Sequence, residues 1–145
     1  MSNEKFVYVI YIATTPQDVW KALLEGELTR QYWKHENVSD WKPGSKWEHI
    51  ADDGKRTVKL VGKVLECVPN KRLVLTWGDV ADAADPSKHS RVAMEIETVG
   101  EMVRLTVTHD SLNPETLRKI ANGWPRVLSS LKSFLETGRP LNTWA

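Results

Sequence analysis

At 145 residues, with 41% hydrophobic and 27% charged side chains, the chain has the apolar content for one packed core and is short for two. Lysine and arginine total 20 against 19 acidic residues, a net charge of +1. That excludes a global basic field for nucleic acid or an anionic membrane, and composition excludes disorder and low-complexity sequence. One cysteine, Cys67, permits neither an intramolecular disulfide nor a cysteine-rich metal centre, so a reducing, cytoplasmic setting is expected. The apolar run from Phe6 to Ala13 is far too short for a bilayer. Glu4 and the polar stretch Thr14 to Asp18 do not fit a signal peptide. Seven tryptophans beside two phenylalanines and three tyrosines imply either a very bulky core or a lined cavity.

Residues 5–13, rich in Val, Ile, Tyr and Phe, predict a strand. Thr15 as N-cap, Pro16 at the first helical position and Asp18 in the first turn open a helix with Val19, Trp20, Leu23 and Leu24 on one face. A second, shorter helix carries Leu28, Tyr32 and Trp33. From residue 37 to 109 the period becomes two. A strand over 45–51 alternates Trp47 and His49 with Lys46 and Glu48, and Asp53-Gly54 predicts a hairpin into a strand over 55–67. Pro69-Asn70 turns the chain into 72–78, where Leu73, Leu75 and Trp77 share a face. Val92, Met94 and Ile96 mark the next strand, Val99-Gly100 a two-residue turn, and Val103, Leu105, Val107 and His109 the last strand.

Residues 78–90 follow neither period and are long for a hairpin loop, so a mobile segment that closes over a pocket mouth is expected. Leu117, Ile120, Trp124, Val127, Leu128, Leu131 and Leu135 then repeat at three and four residues. This predicts an amphipathic helix over 115–136, stopped at Gly138 and kinked or restarted at Pro125. Short turns between strands imply an antiparallel meander with one wet face. The long helix is the element able to cover its apolar face.

Thr15-Pro16-x-x-Val19-Trp20-x-Ala22-Leu23 resembles the opening of the START-like, helix-grip (SRPBCC) superfamily. More specifically it resembles the branch of activator of heat-shock-protein-ninety ATPase homologues. Tyr32-Trp33, Ser39-Asp40-Trp41-Lys42-Pro43-Gly44-Ser45, Gly62-Lys63-Val64, Arg72-Leu73-x-x-Thr76-Trp77 and Gly123-Trp124-Pro125 through Gly138 agree in order. The resemblance covers residues 6 to 138. It implies an α+β helix-grip fold: a curved antiparallel sheet of about six or seven strands wrapped around a long C-terminal helix, with two short helices after the first strand. It also implies one of three activities seen in the family. These are carriage of a hydrophobic ligand, cyclase-type catalysis, and a co-chaperone role in the stress response.

Four histidines, His35, His49, His89 and His109, lack ligand spacing, so no metal site and no cofactor is expected. Ser87-Lys88-His89-Ser90 and His109-Asp110-Ser111 are local strings without a nucleophile motif. No glycine-rich phosphate loop follows any strand. Lys42, Lys46, Lys55, Arg56, Lys59 and Lys63 form a basic neighbourhood, with Lys59 and Lys63 sharing the outer face. A solvated surface is the plainer reading, and an acidic protein partner such as a chaperone is the sharper one. Trp47, Trp77 and Trp124 turn toward the gap between sheet and helix, with Met94 and Trp33. Either they fill a core or they line an apolar pocket, with Leu105, Leu128 and the inward His49 and His109 as further lining residues. The reading adopted is a non-catalytic domain that binds a hydrophobic small molecule there. The alternatives are a co-chaperone acting through its basic face, and an enzyme using His49 or His109 as general acid or base.

Overall fold

Residues 4–142 are described by a computed structural model. Strand β1 (Glu4–Ile12) leads into helices α1 (Pro16–Leu24) and α2 (Gly26–Trp33). Strands β2 (His35–Ser39), β3 (Lys46–Ala51), β4 (Val58–Val68), β5 (Arg72–Asp79), β6 (Ser90–Val99) and β7 (Met102–Leu112) follow, and helix α3 (Pro114–Thr137) ends the fold. All strand pairs are antiparallel in one seven-stranded sheet of order β1-β7-β6-β5-β4-β3-β2. The meander therefore runs in chain order from β2 to β7, and β1 returns to close the β7 side. This is the expected α+β helix-grip architecture.

Local chemistry accounts for the helix ends. Thr15 Oγ1 accepts from the Asp18 amide at 3.2 Å, and Pro16 begins α1 where its missing N–H costs nothing. Asn113 Oδ1 does the same for α3, accepting from the Thr116 amide at 2.8 Å. At the other end Gly138 sits at φ 81°, in the left-handed region that suits glycine, and its amide closes on Phe134. Helix α3 continues unbroken through Pro125, so the expected restart does not occur. Ser129 Oγ donates to the Pro125 carbonyl at 2.6 Å in the following turn.

Turn chemistry shifts several boundaries. The Asp53-Gly54 hairpin is wider than two residues: β4 begins at Val58, because Asp53 organises residues 52–57 through the Lys55 amide (2.9 Å) and the Thr57 hydroxyl (2.7 Å). The β6–β7 turn is Gly100-Glu101, since Val99 pairs with Met102 and Gly100 takes φ 60°. The core holds Ile12, Trp47, Leu73, Leu75, Leu105, Leu128 and Leu131, all almost wholly buried. The opposite face of the sheet is wet, with Arg72, Arg91 and Arg104 paired to Glu66, Glu95, Asp110 and Glu97. Among the described residues no helix is long and apolar enough to cross a membrane.

Candidate functional site

A cavity of about 730 Å³ opens at one end of the sheet. Its walls come from the start of β4 (Lys59, Leu60), the end of β5 (Trp77, Gly78, Asp79), the start of β6 (Ser90) and the end of β7 (Ser111). Helix α3 forms the roof with Ile120, Gly123, Trp124 and Val127. The inner end is aromatic. Trp124 lies 5.4 Å from Trp33 and 5.6 Å from Trp77 between ring centroids, and Trp77 lies 5.4 Å from Trp47 beneath it. Tilted contacts at this spacing suit the ring quadrupoles and hold the indoles in place.

A hydrogen-bonded relay runs from this wall into the core. Trp124 Nε1 donates to His109 Nδ1 at 3.1 Å, so the ring proton of His109 must sit on Nε2. His109 Nε2 then donates to Ser90 Oγ at 2.7 Å, and Ser90 Oγ donates to the Trp77 carbonyl at 3.1 Å. Burial pulls the His109 pKa down to about 3 and keeps the ring neutral. Although serine and histidine touch, this is no nucleophile and base. The histidine gives its proton to the hydroxyl instead of taking one, and no carboxylate orients it. Both His109 nitrogens are committed to structure.

A second histidine is held differently. Asn37 Nδ2 donates to the Leu23 carbonyl at 3.2 Å, which turns Asn37 Oδ1 toward His49 Nδ1 at 2.6 Å. His49 therefore carries its proton on Nδ1, and its Nε2 has no hydrogen-bond partner among the described residues. Its pKa is lowered to about 3 by burial first and by the neighbouring His35 second. The His35 ring stacks on it at 4.4 Å and 6°, with Nδ1 donating to the Trp33 carbonyl at 3.0 Å. Both imidazoles line the cavity.

The segment between β5 and β6 has more structure than its sequence predicts. Two short 3-10 turns, Val80–Asp82 and Pro86–Lys88, occupy it, the second capped by Asp85, which accepts from the Ser87 amide at 3.2 Å. His89 pins it down, donating from Nε2 to the Asp82 carbonyl at 2.9 Å while Nδ1 takes the Thr76 hydroxyl at 3.4 Å. The His89 ring lies where a side chain on residue 78 would stand, which is why Gly78 has none. At the mouth, Lys88 faces Asp82 at 3.8 Å and Lys119 faces Glu115 at 3.5 Å.

Of the residues expected to line a pocket, Trp33, His49, Trp77 and Trp124 do so. Trp47, Met94, Leu105, His109 and Leu128 are instead in the closed core. Strand parity predicts which face a side chain takes but not how far along the sheet it lies, and the cavity occupies only one end. Lys59 and Lys63 part company. His49 pairs with Leu60 and Ile50 with Val58, so Lys59 is the extra residue of a bulge and is turned to the cavity wall. Lys63 stays on the exposed face, opposite Lys46. Sequence reasoning missed His35, Asn37, Ser90 and His89 as site-shaping residues. The available signal was cross-strand register, since Asn37 pairs directly with His49. Among the described residues no cluster of three or more His, Cys, Asp or Glu side chains is placed to hold a metal ion.

Comparison with solved structures places the fold among known ones. The solution structure of the Aha1 dimer from Colwellia psychrerythraea matches with a TM-score of 0.77 at 20% identity, over 93% of this chain and 98% of that one. PFC0360w, an HSP90 activator from Plasmodium falciparum, matches with a TM-score of 0.74 at 19% identity, over 90% and 95%. CalU16 from Micromonospora echinospora matches with a TM-score of 0.74 at 19% identity, over 92% and 77%. No curated protein matches the sequence. Residues 13–136 match the family described as activator of Hsp90 ATPase homolog 1-like protein, and with most of its length inside that match the chain belongs to this family.

Proposed function

We propose that this protein is a non-catalytic binding domain that takes a hydrophobic small molecule between the sheet and α3. The observation that carries this reading is the cavity of about 730 Å³ walled by Trp33, Trp77 and Trp124. Its size and its apolar inner end with a few fixed polar groups suit a small-molecule site. The closed His109 relay argues against general acid–base work by that residue, because both its nitrogens are already used. Titration of intrinsic fluorescence with a panel of aromatic and acyl compounds tests the reading. A saturable change is expected, and its absence across the panel overturns it.

A second reading, docking to a chaperone, is favoured by the family membership and by the resemblance to the Plasmodium HSP90 activator. It would act through the outward basic residues. That face is partly neutralised, since Arg56 meets Glu36 at 2.6 Å and Lys46 meets Glu48 at 3.5 Å. A salt-sensitive pull-down of the chaperone's middle domain, weakened by Lys63→Glu, is the expected result for this reading.

A further inference from the structure

The hydrogen bonds around the cavity limit what it can accept. Each histidine on its wall gives a ring N–H to the protein. His49 gives Nδ1–H to Asn37 Oδ1, His35 gives Nδ1–H to the Trp33 carbonyl, and His89 gives Nε2–H to the Asp82 carbonyl. His89 also accepts the Thr76 hydroxyl, which leaves His49 Nε2 and His35 Nε2 as the open imidazole positions. Both are acceptors. The Asn37 lock makes this assignment firm at His49: its amide donates to the Leu23 carbonyl, so its oxygen faces the imidazole. Reversing the tautomer would set two acceptors against each other in a buried place, leaving both without a donor.

Aromatic side chains form the rest of the inner end. Trp33 meets the His49 ring at 4.7 Å, and Trp77 meets it at 6.1 Å. A planar aromatic body stacked against these indoles would lie beside an acceptor-only nitrogen. An acceptor in such a setting is costly to leave unmatched once the cavity fills.

We propose that the cavity selects planar aromatic ligands carrying an O–H or N–H donor, phenols above all, and that His49 Nε2 is the acceptor that makes the choice. This rests on the small-molecule reading above and adds its specificity. An aromatic ether of the same shape can accept from a free indole N–H but has nothing to offer His49, so it leaves that nitrogen desolvated and unpaired. Sites built around a hydrogen bond reject the analogue lacking it far more strongly than apolar pockets reject a changed methylene. Burial holds His49 neutral, with a pKa of about 3, so the acceptor persists through the physiological range.

The test compares 2-naphthol with 2-methoxynaphthalene, followed by the indole N–H resonances in NMR titrations of the whole chain. The ether is the more apolar of the two, so a general hydrophobic site would prefer it. The expected result is about tenfold tighter binding of the naphthol. In His49→Phe that preference should fall to near one while the ether still binds saturably. Asn37→Ala, which frees His49 to move its proton, should shrink the preference in the same direction and guards against misfolding of the first variant. Equal binding of both probes by the natural chain overturns the donor selection and leaves the small-molecule reading standing. A preference that survives both variants overturns the role of His49. Absence of binding by either probe overturns this inference together with the reading beneath it.

Discussion

Trp124 Nε1 donates to His109 Nδ1 at 3.1 Å, so the roof of the cavity and the inner face of β7 share one hydrogen bond. That bond sets the tautomer of a buried histidine and orients an indole on the cavity wall. It is also the point where α3 is tied to β7 by chemistry in addition to packing.

Phenylalanine substitutions at two tryptophans should separate these effects. Trp124→Phe leaves His109 Nδ1 a buried acceptor with no donor. Trp47→Phe removes a buried indole N–H that has no partner among the described residues. Both lose similar volume, yet Trp124→Phe should be the more destabilising by roughly 1–2 kcal/mol. Denaturant unfolding measures the difference, and the reverse order would contradict the relay.

Alanine substitutions distinguish a filled core from a cavity wall. Replacing a large buried aromatic by alanine typically costs about 3–5 kcal/mol. Trp77 is half-buried and lines the cavity, so Trp77→Ala should cost less than this while abolishing ligand-induced fluorescence change. Trp47→Ala, in the closed core, should unfold the protein more readily, and a stable Trp47→Ala would be inconsistent with its burial.

Acid sensitivity follows from the two depressed histidines. Folded His49 and His109 stay neutral down to about pH 3, His49 through burial and then His35, His109 through burial. In the unfolded chain both protonate near 6.5, so below about that pH the unfolded state binds more protons. Stability should therefore fall as pH drops from about 6.5 toward 3, by about 2 kcal/mol per histidine at pH 5. His109→Gln should make the acid limb shallower by up to one proton. An unchanged limb would show that His109 titrates alike in both states.

Strand β4 approaches β5 closely at Gly62, where an added Cβ would collide with the Thr76 backbone carbonyl. Gly62→Ala must push two paired strands apart, because that neighbour cannot rotate away. A loss of several kcal/mol is expected, on the order of the largest single-site effects. A neutral result by thermal unfolding would show that the sheet can spread there.

The segment over residues 80–88 carries Asp82, Ser87 and Lys88 to the cavity mouth while burying little of itself. We expect its amides to exchange faster than those of β5 and β6, and to slow when a ligand occupies the cavity. Hydrogen exchange with and without 2-naphthol measures both. Protection equal to that of the strands would instead mean that His89 alone holds it rigid.

How far the sequence reached can be judged at particular residues. The Thr15 start of α1, the alternation through Trp47, Leu75, Met94 and Leu105, and the stop at Gly138 are local matters. Each follows from capping, period or backbone freedom within a few residues, and together they were sufficient for the architecture and for which side chains face inward. Position along the strands was beyond them. Met94 and His109 have the same inward parity as Trp77, yet only Trp77 reaches the cavity. That depends on where the sheet and α3 stand apart, a property of packing between distant elements. The tautomers of His49 and His109 were likewise decided by partners 12 and 15 residues away, Asn37 and Trp124. The bulge that sets the exposed Lys59 at the cavity wall was decided by the register of β4 against β3. Periodicity is read along one chain segment, whereas a cavity and its hydrogen bonds exist only where several segments meet.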